Sequence, residues 1–255
     1  MPRFLKQLII FFIFIFIIGS VVYFFFIKES PEPTPSPTPE AELIEPPQII
    51  SQHLLKVGNL DYDFLVQIKN PNTDFGATDV FYELKLFGQD NELLGIRNGS
   101  INLLPGQTRY EIISPLKTDR EVANTSFKIT NANWQKLKEF IPQSLFLVKN
   151  EEYLKTPLEP GFSKLRATLH NNSNFDFDRV DIHIVLFDGN GKPIAVNKTD
   201  VRTFLSGTDR FFEVKWLEQF SGEVNRAEID AYTDVFKNSN FIKEHGTQEE
   251  FQKFY

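Results

Sequence analysis

Val180–Ala195, VDIHIVLFDGNGKPIA, is the stretch on which the reading of this chain turns. Val180, Ile182, Ile184 and Leu186 alternate with other residue types, the period of a strand with one face on a core. The Asp188-Gly-Asn-Gly run after it raises a second possibility, a metal or phosphate loop. A calcium loop needs oxygen ligands at alternate positions and a later Glu. Asp188 and Asn190 begin that way, but Lys192 and Pro193 break it. Asn190-Gly191 is the pair a tight hairpin asks for, with both residues at positive φ. The expectation is a hairpin, with His183 on the polar, solvated face of its first strand.

Outward from this stretch the chain repeats itself. VFYELKLF (80–87) matches VDIHIVLF (180–187) at an offset of 100. FLVQIKN (64–70) matches LRATLHN (165–171) at 101, and PGQTRYEI (105–112) matches SGTDRFFE (206–213) at the same offset. VANTSFKI (122–129) matches VNRAEIDA (224–231) at 102. Identities are few and the shared property is the pattern. Each copy holds six or seven short β-rich runs separated by Gly, Pro, Asn and Asp, as in an immunoglobulin-like sandwich. The fold class expected is all-β: two tandem immunoglobulin- or fibronectin-III-like sandwiches over 50–142 and 143–238, preceded by one transmembrane helix, with 239–255 as a C-terminal tail. NANWQKLKEFIP (131–142) reads as a bridging helix, with an Asn cap and Pro142 beyond its end. SLFLV (144–148) opens the second copy, and a short helix is expected after Thr247, with Glu250 completing a capping box.

Residues 8–27 form an uncharged apolar run of 20, enough at about 1.5 Å per residue to cross the roughly 30 Å hydrocarbon core of a bilayer. Arg3 and Lys6 precede it and several Glu follow Lys28, so the positive-inside rule places the N-terminus in the cytoplasm. A cleaved signal peptide would have a shorter apolar region and a small-residue site, which YFFFIKESPEP lacks. Residues 1–28 are therefore read as a cytoplasmic stub and retained anchor. Residues 29–49 are a linker in which PEPTPSPTP (31–39) puts Pro at every second position, an extended polyproline spacer. At about 3.1 Å per residue, Lys28–Pro47 reaches roughly 60 Å at most.

The net charge is −7 and no cysteine is present. The acidic balance argues against nucleic acid, which needs a basic patch, and the missing Cys excludes disulfides, Cys-zinc sites and a thiol nucleophile. His53, His170, His183 and His245 show no zinc spacing. No serine-hydrolase elbow or phosphate loop is found. No catalytic, cofactor-binding or metal residues are assigned. Asp176, Asp178 and Asp181, beside Arg179 in NFDFDRVD, are the one acidic cluster to weigh for calcium. NGS (98–100), NTS (124–126), NNS (171–173) and NKT (197–199) are glycosylation acceptors by rule.

VQIKNPNTDF, VFYELKLFGQDNELLG and LLPGQTRYEI resemble the LEA14-type (water-stress and hypersensitive response) domain, including its Asn-Pro-Asn, here Asn70-Pro71-Asn72. VDIHIVLFDGNGKPIA resembles the strand, Asp-containing hairpin and returning strand of the bacterial FxLyD domain. Copy two has Asn171-Asn172 where that Pro would fall. The resemblance implies an immunoglobulin-type sandwich acting as a non-catalytic module on a cell envelope. The expected function is that of a single-pass membrane-anchored extracytoplasmic binding or scaffold protein. It would meet the lipid bilayer through residues 8–27 and a protein partner through its modules. The alternative is a calcium- or glycan-binding, or hydrolytic, envelope protein using the acidic loop 176–181.

Overall fold

The computed structural model describes residues 2–24, 43–137, 145–156 and 161–245. They belong to two units, Met1–Leu43 and Ile44–Tyr255. The first contains α1 (Arg3–Val22), which buries none of its side chains and is long and apolar enough to cross a membrane. It starts ahead of the expected span, because Arg3 and Lys6 are good helix formers that extend it toward the N-terminus. Residues 25–42, with the Pro-rich spacer, lie outside the described residues.

The second unit is built of strands: β1 (Gln48–Lys56), β2 (Asp61–Lys69), β3 (Phe75–Phe87), β4 (Leu93–Leu103), β5 (Thr108–Lys117), β6 (Asn124–Lys136), β7 (Phe146–Lys155), β8 (Ser163–Asn171), β9 (Phe177–Phe187), β10 (Pro193–Phe204), β11 (Asp209–Trp216) and β12 (Arg226–Tyr232). Among the described residues they form four three-stranded antiparallel sheets, ordered β1-β2-β5, β4-β3-β6, β10-β9-β12 and β11-β8-β7. The repeat holds down to register. Lys85 faces Ile96 and Ser126 as Val185 faces Val196 and Glu228. Leu65 faces Ile112 as Arg166 faces Glu213.

Three apolar clusters join the sheets. Phe64, Val66 and Ile68 meet Val80, Leu84 and Leu86 between the first two sheets. Leu165 and Leu169 meet Ile182, Ile184 and Phe204 between the last two. Leu65 and Ile112 meet Val185, Phe187 and Val196 in a smaller cluster, here called the seam. The β1-β2-β5 sheet is thus covered on both faces, as is β10-β9-β12, and the sheets succeed one another as four layers. Burying large aliphatic and aromatic side chains contributes about 1.5–3 kcal/mol each, so every layer boundary is cohesive.

A pair of buried asparagines shapes the copies alike. Asn70 Nδ2 donates to the carbonyls of Phe75 (2.7 Å) and Leu104 (3.0 Å), and its Oδ1 accepts from Asn72 N–H. Asn171 Nδ2 donates to Phe175 O (2.8 Å) and Phe204 O (3.1 Å), and its Oδ1 accepts from Ser173 N–H. Both are fully buried, each pinning the end of a strand to two loops. That burial also removes Asn171 as a glycan acceptor in the folded chain.

Two expectations are corrected. Residues 131–136 are not a helix but the end of β6, paired with β3 through Asn131↔Phe81, Ala132↔Val80 and Trp134↔Ala77. Cross-strand packing of Trp134 on the core outweighs a helical spacing that propensity supports only weakly; residues 138–142 lie outside the described residues. The stretch from 239 is also more than a tail. Ser239–His245 forms a helix, α2, that buries Phe241 and Ile242 in the last-layer cluster. The helix expected after Thr247 lies outside the described residues.

Candidate functional site

The hairpin at the centre of VDIHIVLFDGNGKPIA is present: β9 and β10 pair antiparallel around a loop of residues 188–192. Asp188 Oδ1 accepts from the N–H groups of Asn190 and Lys192, both at 2.9 Å. Only Gly191 of the expected pair has positive φ (76°). A five-residue loop closes on an ordinary turn followed by one left-handed residue, so Asn190 has no need of that conformation. In the other copy Asn91 (φ 60°) takes the Gly191 position. The loop carboxylate there comes from Glu92, which accepts from Asp90 N–H at 3.0 Å. Glu92 folds over Gly88 so closely that a Cβ on that glycine would collide with it. The carboxylate of each loop ties down its own backbone.

The polar groups that do converge lie along the seam. β5 is an edge strand, and an edge leaves alternate backbone groups without a ladder partner. Tyr110 donates its N–H to Asp230 Oδ2 (3.2 Å) and its hydroxyl to Glu228 Oε2 (2.7 Å). Its carbonyl lies 3.0 Å from His183 Nδ1. Lys198 Nζ donates to Ile112 O at 3.3 Å. The open edge of β5 is thus closed by side chains of β9, β10 and β12.

Beside this edge, Arg109 donates to Asn102 O (3.0 Å) and lies 3.5 Å from Glu111 Oε2. Its guanidinium stacks 3.3 Å above the Tyr232 ring, a cation–π contact across the seam. Tyr82 donates to Glu111 Oε1 at 3.3 Å. Tyr232 O–H reaches His183 Nε2 at 2.6 Å, so the tautomer that uses every partner carries its proton on Nδ1, toward Tyr110 O. Arg109, Glu111, His183 and Tyr232, with Arg179 and Asp181, border a cavity of about 390 Å³.

Burial pushes the His183 pKa down to about 3, with the Arg109 charge acting in the same direction. Burial raises Glu111 against the pull of Arg109 and Lys198. It raises Asp230 against Arg109 and the Tyr110 N–H. Tyr82 and Tyr232 are pushed up by burial first, so both remain phenols. A neutral imidazole bonded at both nitrogens is a structural bridge rather than an exposed base. Its solvated placement, expected from the sequence, is corrected: His183 is 4% exposed. The signal was available in the sequence. Outward positions Val185 and Phe187 follow His183, making an uncharged run of the kind buried on both faces.

The other candidates are scattered. His53 on β1 is lowered by partial burial and then by Lys192. His170 Nδ1 lies 2.6 Å from Asp209 Oδ1 on the outer face of the last sheet. The His245 ring packs on Phe241, centroids 4.7 Å apart. Asp176 accepts from Ser206 N–H at 2.7 Å, and Asp181 pairs with Arg179 at 2.6 Å. The expected acidic loop 176–181 is instead mostly the start of β9, and its Asp176 and Asp181 carboxylates serve separate partners. Among the described residues, no group of three or more His, Asp or Glu is arranged to hold a metal ion.

No family model and no curated protein matches the chain. Among solved structures it is similar to the calcium binding domain CBD12 of CALX1.1, with 10% identity over 71% of this chain and 80% of that one, TM-score 0.21. It is also similar to red sea bream transglutaminase, with 12% identity over 75% of this chain but 31% of that one, TM-score 0.24. Likeness at this level carries no argument about function.

Proposed function

We propose that this chain is a single-pass, membrane-anchored scaffold of the cell envelope, with residues 44–255 held outside the cytoplasm to bind a protein partner. In this reading the strands are two immunoglobulin-type modules of the LEA14 and FxLyD kind, and neither module catalyses a reaction. The observation that carries the proposal is the seam. The outer face of one sheet is buried on the outer face of the next by apolar contacts and by the Tyr110, His183 and Arg109–Tyr232 bonds. Two modules fused this way make a stiff spacer, and the helix ahead of them has the length and composition of an anchor. Tyr110, His183 and Tyr232 use their polar groups to join the layers, which favours a mechanical role over a chemical one.

Protease added to intact cells tests the topology: residues 44–255 should be released while an N-terminal tag on Met1 stays protected. Tag removal from outside, or complete protection of both ends, would overturn the placement. Crosslinking of the full chain in its native membrane tests the scaffold role. A discrete adduct should form that is lost when 31–39 is deleted and the fold, judged by unfolding midpoint, is unchanged. An adduct indifferent to that deletion would remove the spacer from the proposal.

A further inference from the structure

The seam joins two unlike faces of the repeat. It uses the outer face of β1-β2-β5 from one copy and the outer face of β10-β9-β12 from the other. By register, β1-β2-β5 corresponds to β7-β8-β11, and β10-β9-β12 corresponds to β4-β3-β6. Contact between unlike faces does not stop at two. It recurs as an open chain, or as a ring where its rotation closes, whereas a contact between like faces stops at two. Each molecule therefore ends in one unused face of each kind. What those faces carry is different from the seam. Where Leu65 and Ile112 are buried, the free counterpart has Arg166 and Glu213, held in pairs with Glu152 (2.6 Å) and Lys215 (3.6 Å). Where Val185 is buried, the free counterpart has Lys85, paired with Glu83 at 2.7 Å. The remaining positions stay apolar: Phe211 stands for Tyr110, Ile96 for Val196 and Phe87 for Phe187, and Phe211 is 64% exposed.

We infer that the seam is a head-to-tail contact able to repeat between copies of this chain, and that Lys85, Arg166 and Glu213 stop it after one repeat. A second copy laid onto either end would bring Arg166 and Glu213 against Lys85, Phe87 and Ile96. All three charges would lose water and their present partners, and two cations against one carboxylate would leave a charge buried without a partner. Terminal units of stacked repeat proteins carry polar outer faces for the same reason. This goes beyond the scaffold proposal and does not depend on where the chain is anchored.

The test uses the full chain in detergent, with mass measured by sedimentation across a concentration series. Wild type should keep one mass. The triple variant Lys85→Val/Arg166→Leu/Glu213→Ile should grow past the dimer with concentration in steps of one chain, as an open chain or a ring of more than two. Because the chain has no native cysteine, Phe87→Cys and Phe211→Cys added to the triple variant should give an oxidation ladder. A folded triple variant that keeps the wild-type mass overturns the inference, as does open-ended growth of the wild type. Should the triple variant fail to fold, the reverse exchange decides. Leu65→Arg/Ile112→Glu should open the seam, raising the hydrodynamic radius while the far-ultraviolet circular dichroism of the strands is unchanged. An unaltered radius would count against it equally.

Discussion

Strands β3 and β9 occupy the same place in the repeat, and their inward residues are nearly interchangeable: Val80, Tyr82, Leu84 and Leu86 against Val180, Ile182, Ile184 and Leu186, all buried. Their outward residues are not. Glu83 and Lys85 on β3 pair with each other at the surface, whereas His183 and Val185 on β9 lie under the neighbouring sheet. One strand keeps its outer face solvated, and the other loses it from His183 onward. The inner face decides that a strand forms and which way it turns; the outer face decides what it is next to.

That contrast can be broken most sharply at its centre. Val185→Lys, which gives β9 the residue of β3, should destabilise by about 3–5 kcal/mol in urea unfolding, because an unpaired charge would be buried in the seam. Lys85→Ala on β3 should stay within about 0.5 kcal/mol. Equal effects at the two positions would show that the seam is not a buried layer. The asparagines test the likeness instead. Asn70→Ala and Asn171→Ala should each cost about 1–3 kcal/mol by removing the amide's bonds to two loop carbonyls and one N–H. A large difference between them would mean that the copies do not share this device.

The seam should also be sensitive to acid. His183 titrates near 3 in the folded chain, below its ordinary 6.5. The unfolded chain therefore takes up its proton first, and the His183 contribution is complete above 6.5 and lost as pH falls toward 3. Between pH 6.5 and 5 that is about 2 kcal/mol for one proton. Glu111 and Asp230, both raised, act in the opposite sense, so the comparison to make is wild type against His183→Asn at both pH values. The variant should lose less stability on acidification; identical losses would sink the assignment. Smallest of all, Gly191→Ala should cost about 1 kcal/mol through its left-handed backbone, and Asn91→Gly should gain a few tenths. Millimolar calcium should leave the melting temperature unchanged, since the carboxylates of Asp176 and Asp181 are already engaged.

Much of this was legible in the sequence. The offsets of 100 to 102 residues reappear as strand register, and the hairpin of 188–192 stands where Asp188 and Gly191 put it. What escapes the sequence has one source. The spacing of 131–136 suits a helix, but β3 pairs with them. Alternation places His183 on the solvated face because it describes one face at a time and does not say what covers the other. Asn70 and Asn171 were visible as the shared last letter of two matched runs, yet nothing local distinguishes a buried asparagine from a turn residue.

By itself the sequence determined the apolar leading helix, the alternating strands and their twofold repetition, because those depend on residue spacing along one chain segment and on a transfer free energy that each side chain carries with it. Only the tertiary structure decided that the two copies share a buried seam, since that depends on which surfaces meet. Arg109 finds its ring in Tyr232 and His183 its acceptor in Tyr110, on strands many tens of positions away, and no local pattern names those partners.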